Sequence, residues 1–359
     1  MVYTMCIVND QVKFDFFYEV IATYYRDTTE LSTRGNYNVD FKALKIACIP
    51  CTSIIRNYKP NSTPDDVIVT YSIGKIKNIG PFIRSLRSTG SKASVILLLD
   101  SDAYYSLDSF KKNFIEGCGV TIINCGKCIY RQKLDFNSYG YIWCVEFVEQ
   151  NKHLIDRVIY ADLFDIYFQG DPFYEGLNRD EIQIPDEELE LKFNPAQQEW
   201  MKNCSRIVNE KDKMWKYPCT GYFAGGADIF LKFMKLYLSE YKFGSNCMDQ
   251  GLIASMIADG DFSRNNISIN MRFPYYIRNL YFTHLWNEES IGTIRSAYDR
   301  NKYALIIHHT HYNYGTKIAI YKFCPPHAPE FELDYISKCN PSCAKELLSK
   351  APNYWNDLK

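Results

Sequence analysis

Two acidic clusters and one run of histidines stand where this chain could do chemistry. Asp162 and Asp165 lie in ADLFDIYFQGDPF, residues 161–173, directly after a β-branched run. Asp100, Ser101 and Asp102 follow a second apolar run, and His308, His309 and His311 follow a third. Three of the six histidines thus fall within four residues. Crowded carboxylates repel one another, and a divalent cation relieves that repulsion. Carboxylate oxygens joined by an imidazole nitrogen suit a hard or borderline divalent cation. Each residue alone has a plainer role: an Asp after a strand caps the next helix, and Asp171 before Pro172 starts a turn. Only the conjunction points to a cation site.

What must position these residues is a sheet. The runs 67–70, 95–99, 120–123, 157–160, 222–226 and 304–308 read as strands. Phe82, Ile83 and Leu86 share a helical face that Gly80-Pro81 opens and Gly90 closes. Further helices are predicted around 141–149, after a cap at Asp228, and over 248–258 up to Gly260. Strands and helices alternating at this spacing predict an α/β fold with a mixed, mainly parallel sheet. Ligands of such a sheet bind beyond the carboxyl ends of its strands, which is where the three clusters fall. Phe14, Phe17, Val20, Ile21 and Tyr24 predict an amphipathic helix in an N-terminal extension over 1–64. The main domain is expected over 65–324, with an acidic, strand-poor insertion at 174–217, and 325–359 reads as a surface-wrapping tail.

Composition excludes several classes. The 359 residues are 47% hydrophobic and 23% charged, which excludes a disordered chain. Lys and Arg number 41 against 42 Asp and Glu, so there is no basic excess and no nucleic-acid partner is expected. The longest aliphatic run, 95–99, is far short of a membrane span. Asp10, Lys13 and Asp15 interrupt the N-terminus where a signal peptide needs an apolar stretch. The chain as written therefore reads as cytoplasmic, or as lumenal if it is a trimmed piece of a secretory protein. Thirteen cysteines, an odd count, argue against a disulfide scaffold and leave the redox compartment open. The C-x-x-C pairs Cys48/Cys51 and Cys125/Cys128 lie outside zinc-ribbon spacing and read as ordinary thiols. Sequons at Asn61, Asn203 and Asn266 occur at about chance frequency.

The stretch VIYADLFDIYFQGDPF, residues 158–173, resembles the metal motif of the GT-A-fold nucleotide-diphospho-sugar glycosyltransferases. It is similar in particular to a eukaryotic group that carries D-x-x-D-x-x-F-Q-x-D-P-F. Five other stretches resemble that group in the same order: NIGPFIRSLRSTG (78–90), QEWMKNC (198–204), PCTGYFAGG (218–226), MDQGLI (248–253) and LIIHHTHYN (305–313). The resemblance spans roughly residues 65–315. It implies a glycosyltransferase with a nucleoside-diphosphate sugar as donor and a glycan or protein as acceptor. Asp162 and Asp165 would then hold the cation and diphosphate, and His308 would complete the metal shell. Asp249 and Gln250 would lie beside the reacting sugar as the catalytic pair. Tyr71, Asp100, Asp162, Gly221 and Gly225 would bind the nucleotide sugar, the glycines by letting backbone approach closely.

The motif departs from the commoner D-x-D, and Leu163 and Phe164 are apolar where the group often carries a charge. The literal D-x-D, Asp100-Ser101-Asp102, follows the second strand and is by strand order a decoy. Two rivals remain: an inactive relative that keeps the fold to bind glycan or protein, and a nucleotidyltransferase. The latter ranks lower because SIGKIKNIG (72–80) has only two glycines. A nicotinamide-dependent redox enzyme fails for want of G-x-G-x-x-G.

Overall fold

The computed structural model describes residues 37, 39, 46–51, 59–74, 76, 79–128, 136–204, 216–271, 277–279, 301–308 and 324. The helix predicted within 14–24, the tail over 325–359, His309 and His311 lie outside the described residues.

The strands β1 (Asp66–Ser72), β2 (Ser94–Leu99), β3 (Val120–Asn124) and β4 (Arg157–Ala161) pair in parallel around β1. The first, second and fourth are buried along their whole length, as near-continuous Val, Ile and Leu runs demand when helices cover both faces. The sheet is completed by β6 (Glu181–Gln183), β9 (Tyr222–Gly226) and β10 (Ser268–Asn270), in the order β10-β6-β9-β4-β1-β2-β3. β9 runs antiparallel to both β4 and β6, so the seven strands form a mixed, mainly parallel sheet of an α/β fold.

Alternation along β1 divides the core. Val67, Val69 and Tyr71 face one cluster, built largely with α4 (Phe136–Asn151) and α6 (Ala227–Glu240). Ile68 faces the other, with Phe82, Ile83 and Leu86 of α1 (Gly80–Ser88). At the amino ends of the strands Arg157 lies fork to fork on Asp66, Nε to Oδ1 at 2.6 Å and Nη2 to Oδ2 at 2.7 Å, fully buried. The carboxyl ends are left for the site.

Three predicted features are corrected. The insertion is not strand-poor, since it holds β6, β7 (Asp186–Glu190) and β8 (Lys216–Pro218) besides α5 (Pro195–Asn203). These strands are too short, and β7 too acidic, for apolar alternation to show. Nor is its acidic run simply a solvated face, because Asp186 and Glu187 are buried. Helix α6 is capped by Gly226, and Asp228 sits inside its first turn. Short helices α2 (Ser101–Tyr105) and α8 (Asp261–Arg264) carry too few turns to be periodic, and α3 (Ser109–Gly117) buries Ile115 alone, whereas α7 (Asp249–Asp259) ends at Gly260 in the left-handed conformation as expected.

The cysteines also differ from expectation. Cys48–Cys118, Cys51–Cys324 and Cys204–Cys247 form disulfides. The C-x-x-C spacing at Cys48/Cys51 is incidental: each sulfur finds a partner far along the sequence, which no local pattern reveals. Cys125 and Cys128 are thiols, and burial pushes both up in pKa, Cys128 to about 12. The segment before β1 is bound to the domain as well. Asp171 Oδ2 accepts the amides of Asn61 and Ser62 at 2.8 and 2.7 Å, and the Arg84 Nε donates to the Ile49 carbonyl. Among the described residues, no helix is long and apolar enough to cross a membrane.

Candidate metal centre

Asp162 is the first residue beyond β4, and its amide donates to the Gly221 carbonyl at 2.8 Å, which carries the β4–β9 pairing one step further. Asp165 closes the short turn that follows. Leu163 is buried and Phe164 packs against the same core, which explains the two apolar residues between the carboxylates: they anchor the turn while both acids turn to His308.

The histidine arrives on a separate strand. β5 (Tyr167–Phe168) pairs antiparallel with β12 (Ile306–His308), which pairs on its other side with β11 (Ile277–Asn279). The FQGDPF text is the fastening for that strand. Gln169 Nε2 donates to the Ala304 carbonyl at 2.7 Å, and the Gln169 and Gly170 amides both reach the Leu305 carbonyl. A Cβ on Gly170 would come within 2.3 Å of Leu305 Cδ2. The specificity of this motif is therefore structural: its Gln and Gly dock β12, and its Asp171 holds the chain before β1.

Docked in this way, His308 Nε2 lies 3.5 Å from Asp165 Oδ1 and 3.7 Å from Asp162 Oδ2. One ligand atom from each of the three residues lies within 4.8 Å of the others, so the group could hold a metal ion. The separations exceed hydrogen-bond length and match those of ligands sharing one ion at about 2.0–2.3 Å. Gly221 supplies a second indication of fit. A Cβ there would lie 2.4 Å from His308 Nε2 and 2.8 Å from Asp162 Oδ2, so glycine keeps open the space the donors face. Side-chain exposure grades from 42% at Asp162 through 13% at Asp165 to 1% at His308, so the cluster meets solvent through Asp162.

Burial works to lower the His308 pKa, but Cys219, Asp165 and Asp162 outweigh it and hold the ring well above its ordinary value. A cation must therefore displace a proton held between carboxylates. Tyr160 donates to Asp162 Oδ1 at 2.6 Å, and burial, then the Asp162 charge, keep this phenol protonated.

A second polar group lies alongside. Asp249, first residue of α7, is buried and accepts from Tyr141 Oη at 2.8 Å and from Thr220 Oγ1 at 3.3 Å. Burial is the main cause of its raised pKa. Gln250 donates from Nε2 to Glu187 Oε1 at 3.0 Å, and its Oε1 lies 3.4 Å from Thr220 Oγ1. The tripeptide Cys219-Thr220-Gly221 joins both groups: Cys219 Sγ is 3.1 Å from His308 Nδ1, Thr220 reaches Asp249 and Gln250, and Gly221 makes room between the donors. Sequence reading missed Cys219, Thr220 and Glu187. The PCTG text was the available signal for the first two, whereas Glu187 lay hidden in an acidic run.

The remaining expected residues have local roles. Asp100 Oδ1 accepts the amides of Ala103 and Gly74, capping α2, and Asp102 is exposed in that helix's first turn, apart from the donor group. Tyr71 is buried beneath the site, its hydroxyl on Asn137 Oδ1 and its ring stacked on Tyr160. Gly225 is needed by the sheet, since a Cβ there would sit 2.8 Å from the Glu181 carbonyl oxygen.

In comparisons with known proteins, no family model matches this chain, and no curated protein matches it.

Proposed function

We propose that the protein is a metal-dependent glycosyltransferase of GT-A type, moving a sugar from a nucleoside diphosphate to an acceptor hydroxyl. The observation that carries this reading is the Asp162–Asp165–His308 group at the carboxyl edge of a mainly parallel sheet. That edge is where open α/β sheets bind ligands, and two oxygens with one nitrogen suit Mn²⁺ or Mg²⁺.

Asp162, Asp165 and His308 would hold the cation, which when bound supplies positive charge to a departing diphosphate. Asp162 is turned by Tyr160 so that Oδ2 faces the histidine. Asp249, held by Tyr141 and Thr220, and Gln250, held by Glu187, lie close enough to orient a sugar hydroxyl. The raised pKa of Asp249 suits a group that takes up a proton. The three disulfides support an oxidising compartment for this chemistry.

The test is release of nucleoside diphosphate from a panel of nucleotide sugars, with and without Mn²⁺. Cation-dependent release that falls roughly a thousandfold in Asp165→Ala supports the reading. Undiminished release in Asp165→Ala and Asp162→Ala overturns it.

A further inference from the structure

The two nitrogens of His308 face different chemistry. Nε2 points to the carboxylates of Asp165 and Asp162, at 3.5 and 3.7 Å, while Nδ1 lies 3.1 Å from the sulfur of Cys219. Both side chains are buried, the thiol completely. A neutral imidazole carries one proton, and the nitrogen that ligates a metal must be the one without it. With Nε2 as the ligand atom, the proton resides on Nδ1, and the sulfur is placed to accept it.

We infer that Cys219 is the positioning residue of the metal-ligand histidine: its sulfur accepts the Nδ1–H and fixes the ring with Nε2 turned to Asp162 and Asp165. This inference rests on the metal reading above. A carboxylate or a carbonyl oxygen ordinarily occupies this place behind a ligand histidine and raises its basicity. Sulfur is a weaker acceptor, so Cys219 sets orientation more than electron density. Its backbone is fixed for the purpose: the Cys219 amide donates to the Pro185 carbonyl at 2.7 Å, and the following Thr220 and Gly221 are held at the site on their own account.

The arrangement also superficially matches a thiol nucleophile, with Cys219, His308 and Asp165 in series. Complete burial of the sulfur argues against that role, because a nucleophile must be reached by its substrate.

The experiment measures Mn²⁺ affinity, from the electron paramagnetic resonance signal of the free ion, in the full chain carrying Cys219→Val, Cys219→Ala or Cys219→Ser. Thermal midpoints of the metal-free proteins are recorded alongside. Val and Ala cannot accept a hydrogen bond, and each should weaken Mn²⁺ binding by roughly 10- to 100-fold. Ser can accept one and should restore affinity to within about threefold of wild type, a rescue that cavity filling alone would not give. Should the Val variant fail to fold, the Ala and Ser pair decides. Equal affinity in Ala, Ser and wild type overturns the inference, as does alkylation of Cys219 by iodoacetamide in the native protein. His308→Ala separates this failure from that of the metal reading. If His308→Ala binds Mn²⁺ like wild type, the metal site itself falls. If it loses Mn²⁺ while the Cys219 variants do not, only the role of Cys219 falls.

Discussion

Tyr160 and Asp162 are two residues apart, one near the end of a buried strand and one just beyond it, and the phenol of the first donates to Oδ1 of the second at 2.6 Å. The contact leaves Oδ2 as the oxygen facing His308. Tyr160→Phe removes the donor and keeps the ring, which stacks on Tyr71 and Phe223. Mn²⁺ affinity should fall roughly 10-fold, with about 1 kcal/mol lost from stability. Titration of the ion and chemical denaturation measure the two effects separately.

Two glycines of PCTGYFAGG should fail differently. Gly221→Ala sets a methyl 2.3 Å from His308 Cε1 and 2.8 Å from Asp162 Oδ2, so it should abolish metal binding while the sheet persists. Gly225→Ala instead meets the Glu181 carbonyl oxygen, at 2.8 Å, and should destabilise the fold by about 1–3 kcal/mol. Metal titration together with thermal unfolding distinguishes them; loss of metal from both at unchanged stability would refute the assignment.

Asp100 and Asp102 should both prove irrelevant to the cation. Asp100→Ala gives up the cap on α2 and should cost about 1 kcal/mol. Asp102→Ala, at an exposed position, should change stability by less than about 0.5 kcal/mol. Mn²⁺ affinity should match wild type in each, and a loss in Asp102→Ala would move the metal to the other acidic pair.

The buried carboxyl of Asp249 makes stability depend on pH. Burial raises its pKa in the folded chain, so the fold binds this proton more tightly than the unfolded chain does. Its contribution to stability is complete below the ordinary carboxyl pKa and is lost as pH rises through the raised value. Asp249→Asn cannot ionise and still offers Tyr141 an acceptor oxygen. Its thermal midpoint should exceed wild type at neutral pH, and the gap should close near pH 3. Under the proposed function it should also lower the maximal rate with Mn²⁺ affinity kept, and added cation should not restore that rate.

At the opposite edge of the sheet, Asp66→Ala should cost about 3–5 kcal/mol, because it strands the Arg157 guanidinium in the interior. Urea denaturation reads the loss, and Arg157→Met in the same background should recover part of it by removing the uncompensated charge.

The parallel strands were legible because each is a compact run of Val, Ile and Leu, and α1 and α7 because glycine and proline punctuate them. Asp162, Asp165 and His308 were legible as residues that follow strands. Their meeting was not deducible from strand positions alone, since it depends on Gln169 and Gly170 docking β12 against β5. Cys219 carries no local mark of its role, because a buried thiol and a histidine's partner look alike in sequence. The acidic run hid Glu187 for the opposite reason: charge density suggested water on both sides, while the antiparallel β7–β8 pair places this one residue against Gln250.

The bond between Cys51 and Cys324, 273 residues apart, makes most of the chain a covalent ring. A ring survives one cut. Cleavage of any single peptide bond between these two cysteines leaves two pieces that travel as one molecule until a reductant parts them. The clasp packs with Tyr167 and Ile307, which face one another across β5 and β12. The ring therefore closes beside the strand that presents His308, and a nicked but oxidised protein keeps its histidine and its carboxylates on the same molecule.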